Sequence, residues 1–290
     1  MSALVAVVAG RLIFDATAIL LFGTSCFLDW IAPKSLGASF AASAAKIRFL
    51  PIAASLAAVS WLPFDAAAIA GNWGAAVNPQ FVRALALETS GGHAWMARCL
   101  LCLVAAAVFG WRIVRLRIPA AGVLVASLSL SGHTQLQGGL LTIVHMINDA
   151  LHVLAGSIWL GSLILLPGCL ALLDHPELYR DARSALQRFS RIGHAAVAAV
   201  ILTGVVNSVL TLCRWPTRPI SPYVALLALK IILVAAMATL AVVNRYVFVP
   251  KIRFDRVRAI AQIKIGTWSE LVLGAGVLTL VATFGVFDPH

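Results

Sequence analysis

Long apolar runs separated by short polar connections dominate the chain. Eight such runs, each about 20 residues long, fall near 4–30, 44–69, 95–112, 118–133, 142–167, 192–213, 222–246 and 265–287. A helix of that length crosses a bilayer while satisfying its own backbone hydrogen bonds. The runs are continuously apolar and lack the period-two alternation of barrel strands. The pattern predicts an all-α polytopic transmembrane bundle of about eight spans, built as a single membrane domain over 1–290. The first run has no basic leading segment and carries Arg11 and Asp15, so it reads as a retained helix rather than a signal peptide. Trp30, Trp73, Trp95, Trp111 and Trp215 fall near run ends, where tryptophan anchors a helix at the interface. Two longer connections, near 70–94 and 174–190, have room for short surface helices. Asp174-His175-Pro176-Glu177 reads as a capped start for one in the second connection.

Composition agrees: 61% of the 290 residues are hydrophobic and 11% charged, against about 25% charged in a soluble domain. The net charge of +11 would suit nucleic acid, but its placement argues for topology instead. Sixteen of the 22 Lys and Arg residues lie in the connections after runs one, three, five and seven. The positive-inside rule puts those connections in the cytoplasm and both termini outside. The expected surroundings are membrane lipid, with no nucleic-acid partner.

That orientation gives the polar residues a side. His133 closes run four and His145 opens run five, both at the outer mouth. Along run five, Asp149 follows His145 by four residues and His152 follows Asp149 by three, so the three share one helix stripe. An ionisable group inside a bilayer is costly and is normally retained for a pathway, relay or ligand site. His145 and His152 stand about 10 Å apart along the axis, whereas imidazole–metal bonds are about 2 Å long. Two arrangements remain open: one site combining Asp149, a single histidine of run five and His133, or two sites at successive depths.

A second group lies at the outer end of run three: His93, Met96, Cys99 and Cys102. Three-residue steps drift around the helix, so only adjacent members can share an ion. His93 and Met96 are the stronger ligand candidates, and the cysteines read as small apolar residues. Cys26, Cys169 and Cys213 read as structural, with no disulfide framework. Among the deeper charges, Arg11 and Asp15 are spaced to pair with each other. Lys230 and Glu270 are candidate pathway groups at different depths, with Glu270 nearer Arg191, His194 and Arg245.

The ordered set of motifs resembles the copper resistance protein D family of integral inner-membrane proteins (CopD/PcoD) across most of the chain. It comprises Ser131-Gly132-His133, Asp149-x-x-His152 with Trp159-x-Gly161, Arg188-Phe189-Ser190, Thr203-Gly204 with Asn207, Lys230, Asn244-Arg245 and Glu270. The resemblance implies copper homeostasis, with a copper ion passing from periplasm toward cytoplasm. It also implies a small periplasmic copper-binding partner of the CopC type, expected as a separate chain. Imidazole accepts both copper oxidation states and carboxylate favours the harder one. The same ligands accept zinc or nickel, so copper is named by the resemblance and not by spacing.

The chain carries no Gly-rich phosphate loop and no nucleotide motif. It is expected not to be an enzyme, and any transport runs down a gradient or couples to protons or a partner. The alternative is a haem-binding electron-transfer or copper-reducing protein, because paired histidines on neighbouring helices also suit haem iron.

Overall fold

A computed structural model describes residues 2–130, 139–212 and 222–284, and every regular element among them is helical. The principal helices are α1 (Ala3–Cys26), α2 (Leu50–Ala70), α3 (Ser90–Gly110), α4 (Val114–Ala126), α5 (Leu140–Leu163), α6 (Tyr179–Leu212), α7 (Pro222–Val243) and α8 (Arg256–Phe284). Among the described residues, seven helical stretches are long and apolar enough to cross a membrane. α4, from the fourth run, is shorter. It has 13 residues and passes into a 3-10 turn at Ser127–Leu130, and Pro119 within it cannot donate a backbone hydrogen bond.

α1 is the centre of the bundle and packs against α2, α4, α5 and α8. Its Phe14, Leu21 and Cys26 are fully buried. The crossing of α1 with α5 is set by glycine. A Cβ on Gly161 would lie 2.6 Å from the carbonyl oxygen of Ile19, and Gly23 is equally tight against Ser157 and Gly161. The hydroxyl of Ser162 donates to the carbonyl of Gly23 at 2.9 Å across that crossing. Small residues allow close backbone approach, the principal means of tight helix packing in lipid.

α6 and α7 sit at the periphery. Only 11% and 6% of their most apolar stretches are buried, and Leu202, Val205, Ile231 and Ile232 are left exposed to face lipid.

Several boundaries differ from the hydropathy reading for identifiable reasons. α6 runs unbroken for 34 residues from Tyr179, so it absorbs most of the connection that was expected to hold a separate surface helix. Its first turns are polar, yet Ala182 and Ala185 are fully buried there with Leu186 and Phe189 packed beside them. Hydropathy registers polarity and not helix propensity, so it misses such an extension. The 70–94 connection does hold a short helix, Pro79–Glu88, capped by Asn78. Trp95 is not an interfacial anchor; its indole N–H donates to the carbonyl of Ala58 at 2.7 Å inside the bundle. Trp30, Trp73 and Trp111 are exposed, as anchors should be.

Candidate metal site

The polar stripe of α5 is built against α6. The side-chain amide of Asn148 donates to the carbonyl of Thr203 at 2.9 Å and to Asn207 Oδ1 at 2.7 Å. Asn207 Nδ2 in turn donates to Asp149 Oδ1 at 2.9 Å. One carboxylate oxygen of Asp149 is therefore held in place by a residue one helix away.

His152 is fixed in the same manner. Its Nδ1 lies 2.9 Å from Thr203 Oγ1, and that hydroxyl donates to the carbonyl of Ala199 at 2.5 Å. A hydroxyl has one proton to give, so Thr203 accepts from Nδ1–H. The carbonyl of Val200 faces the imidazole as a second acceptor. This network assigns the proton to Nδ1 and leaves Nε2 with the lone pair that a metal uses. Gly204 makes room for the ring: a Cβ there would meet His152 Cε1 at 3.3 Å. The Thr203-Gly204 and Asn207 motif is thus the support of the α5 stripe.

His145, one turn before Asp149, is 3% exposed. Its Nδ1 is buried without a hydrogen-bond partner among the described residues. Lys230 from α7 is within electrostatic range of both Asp149 and His152. Among the described residues it makes no ion pair within 4 Å, since the two pairs found are Arg256–Asp174 and Arg258–Asp255. Lys230 therefore belongs to the α5–α6 site as a long-range charge.

Glu270 lies elsewhere. It is 2% exposed, accepts from Asn244 Nδ2 at 3.0 Å and is hydrogen-bonded by the Trp159 side chain. Trp159 follows His152 by seven residues, about 10 Å further along the same face of α5. Both Glu270 and Trp159 line a cavity of about 990 Å³ together with His194 and Arg245. Asn244 and Arg245 open a π-helical turn, Asn244–Phe248, a distortion frequent at functional sites. The two charges predicted as pathway groups thus mark two separate environments, one at the stripe and one at the cavity.

The remaining predicted ligands are not gathered here. His93 is exposed and its Nε2 lies 3.0 Å from the carbonyl of Leu87 in the preceding helix. Met96 is half-buried on α3, which packs chiefly on α2, α4 and the Pro79–Glu88 helix. Among the described residues no group of three or more His, Cys, Asp or Glu side chains could hold one metal ion. His145, Asp149 and His152 therefore do not converge as a three-ligand centre, in keeping with the axial spacing of the two histidines. His133 lies outside the described residues.

A buried charge network in the N-terminal half was partly missed by sequence reasoning. Arg98, near the outer end of run three, is 3% exposed and donates to the carbonyl of Ser127 at 3.1 Å. Its guanidinium and that of Arg11 lie 4.8 and 5.2 Å from the centre of the Trp61 ring, within cation–π range. Asp15 and Asp65 are both within electrostatic range of the two arginines. Arg11 and Arg98 thus share two carboxylates, Asp15 and Asp65, and the Trp61 ring, so Arg11 does not pair with Asp15 alone. The positions of Asp65 in run two and Arg98 in run three were the available signal.

Comparison with known proteins places this geometry in context. Residues 1–143 match the family described as Copper resistance protein D-like, N-terminal domain, and residues 183–284 match Copper resistance protein D. The Inner membrane protein YebZ of Escherichia coli (strain K12) is 28% identical over 289 residues, covering 97% of this chain and 98% of its own. Copper resistance protein D of Pseudomonas syringae pv. tomato is 28% identical over 242 residues, covering 76% and 75% respectively. Copper transport protein CutJ of Bacillus subtilis (strain 168) is 26% identical over 151 residues, which span 47% of this chain and 27% of that protein. No solved structure matches.

Proposed function

Because the chain belongs to the copper resistance protein D family and is a multi-pass inner-membrane protein, we propose that copper is its cargo. The ion is received at the α5–α6 stripe from the periplasm and conveyed toward the cytoplasm. The observation that carries this reading is the preparation of the donors: His152 Nε2 is left open by the pinning of Nδ1 to Thr203. Asp149 is oriented by Asn207, and the Nδ1 of buried His145 is unsatisfied by the described residues. Outer-shell hydrogen bonds of this kind orient metal-ligating histidines and carboxylates.

The spacing favours stations over a cage. A resident cofactor needs a closed ligand set, whereas a conducted ion must bind well enough to enter and weakly enough to leave. His145, Asp149 and His152 descend the helix as successive one- or two-donor positions, with His133 proposed to join the outermost. Lys230 supplies a competing positive charge beside Asp149, which keeps the ion from resting there. Trp159 and Glu270 begin the second half of the path, where the ion leaves the stripe for the cavity. His93 and Met96 are left as a separate outer contact, and a periplasmic protein of the CopC type is the proposed donor. The activity is ligand exchange, without covalent catalysis.

The test is copper analysis and absorption spectroscopy of the purified chain, joined to copper uptake into vesicles of known orientation. The proposal expects bound copper without a Soret band, uptake by the native chain, and loss of uptake in His152→Ala. A Soret band would assign the histidines to haem, and undiminished uptake in His152→Ala would remove the stripe from the path.

A further inference from the structure

α6 and α7 follow each other in the chain, yet among the described residues they form no extended helix–helix contact. The cavity of about 990 Å³ fills the space between them. Its α6 wall recurs at helical spacing as Arg183, Gln187, Ser190, His194, Val197 and Ile201, a single stripe that is polar at one end and apolar at the other. The opposite wall runs in the same sense from Arg256 and Arg253 through Arg245 to Ala241 and Ala238. Both walls therefore carry one gradient, with guanidinium groups at one mouth and hydrocarbon beyond.

The charges at that mouth are largely uncommitted. Arg256 donates to the carbonyl of Leu173 and to Asp174. Arg183, Arg245 and Arg253 make no hydrogen bond or ion pair with the described residues. From Ser190 to Ile201 the α6 wall rises about 16 Å, close to half the roughly 30 Å hydrocarbon core. A free anion would satisfy the arginines but leave that apolar length unfilled. A zwitterionic lipid would fill it without matching the excess positive charge.

We propose that the α6–α7 cleft is a binding site for one anionic phospholipid. Its headgroup spans the arginine-lined end, with the phosphate between Arg245, at the level of His194, and Arg253, and with Arg183 further out along α6; an acyl chain runs along Val197, Ile201 and Ala238. Basic pockets between transmembrane helices recognise anionic headgroups by this combination. This assignment uses none of His145, Asp149 or His152, but it shares the cavity that the copper reading enters past Trp159 and Glu270; lipid retention is therefore read on the copper-free protein, where it succeeds or fails independently of copper uptake.

Native mass spectrometry of the full chain, purified in non-ionic detergent and offered phosphatidylglycerol or phosphatidylcholine, tests it. Phosphatidylglycerol should be retained at about a tenfold lower concentration than phosphatidylcholine. The pair Arg245→Gln and Arg253→Gln should erase that preference, while Arg245→Lys with Arg253→Lys should keep most of it. Ile201→Trp, which narrows the apolar end without touching charge, should lower retention and serves if the glutamine pair does not fold. Arg115→Gln, outside the cleft, should change nothing. Equal retention of both lipids by the native chain, or an unchanged preference in the glutamine pair, would overturn the site as lipid-specific. Displacement of the lipid by millimolar inorganic phosphate would overturn it in favour of a free-anion site.

Discussion

Replacing Thr203 by valine removes one hydroxyl with little change of shape, and its consequence follows from the proton count. Thr203 Oγ1 donates to Ala199 and therefore accepts from His152 Nδ1–H. Valine offers no acceptor, so Nδ1–H loses its partner on Thr203 and keeps only the carbonyl of Val200, while the ring stays packed on Gly204. Loss of an outer-shell partner typically weakens metal affinity 10- to 100-fold, which is about 1.4–2.8 kcal/mol. The copper-free protein should also lose stability, by about 0.5–1.5 kcal/mol for the one hydrogen bond removed. Competitive titration against a copper chelator, with thermal unfolding of the copper-free protein in detergent, reads both quantities. Thr203→Ser restores the oxygen and should recover most of the affinity. Native affinity and native stability in Thr203→Val would refute both the assigned tautomer and the support role of α6.

Other outcomes follow from the same geometry. Gly161→Ala should destabilise the bundle by about 1–3 kcal/mol through overpacking against α1. Gly193→Ala, with nothing within 4 Å of the added Cβ, should be neutral or stabilising by up to about 1 kcal/mol; melting temperatures in detergent compare the two. Lys230→Met should leave copper bound at the stripe yet stop uptake into vesicles, since the competing charge is gone. Glu270→Gln should likewise keep stripe occupancy while slowing uptake, because the cavity wall then carries no ionisable group at that point. Metal analysis run beside uptake separates these two from a loss of folding.

The spans and the α5 stripe were legible because bilayer thickness and the 3.6-residue period are written directly into composition and spacing. The role of α6 was only partly legible. Thr203, Gly204 and Asn207 stood out as a motif, but what they hold depends on how α5 and α6 cross, and no periodicity carries that. The burial of Arg98 was not legible, because a charge near a run end reads as interfacial, whereas the Trp61 ring and the carbonyl of Ser127 draw it inside. The extended start of α6 was hidden by its arginines. The gap between α6 and α7 was invisible, since hydropathy marks a helix as membrane-spanning without saying what it leaves unpacked.

The central claim is that imidazole nitrogen from α5 meets copper in the membrane. X-ray absorption at the copper edge, on copper-loaded native protein and on His145→Ala and His152→Ala, reads that contact directly. The account predicts imidazole scattering around the metal in the native chain and a stepwise loss of it, with lost occupancy, in the two variants. Native-like imidazole scattering in both variants, or a copper shell of sulfur alone, would contradict it.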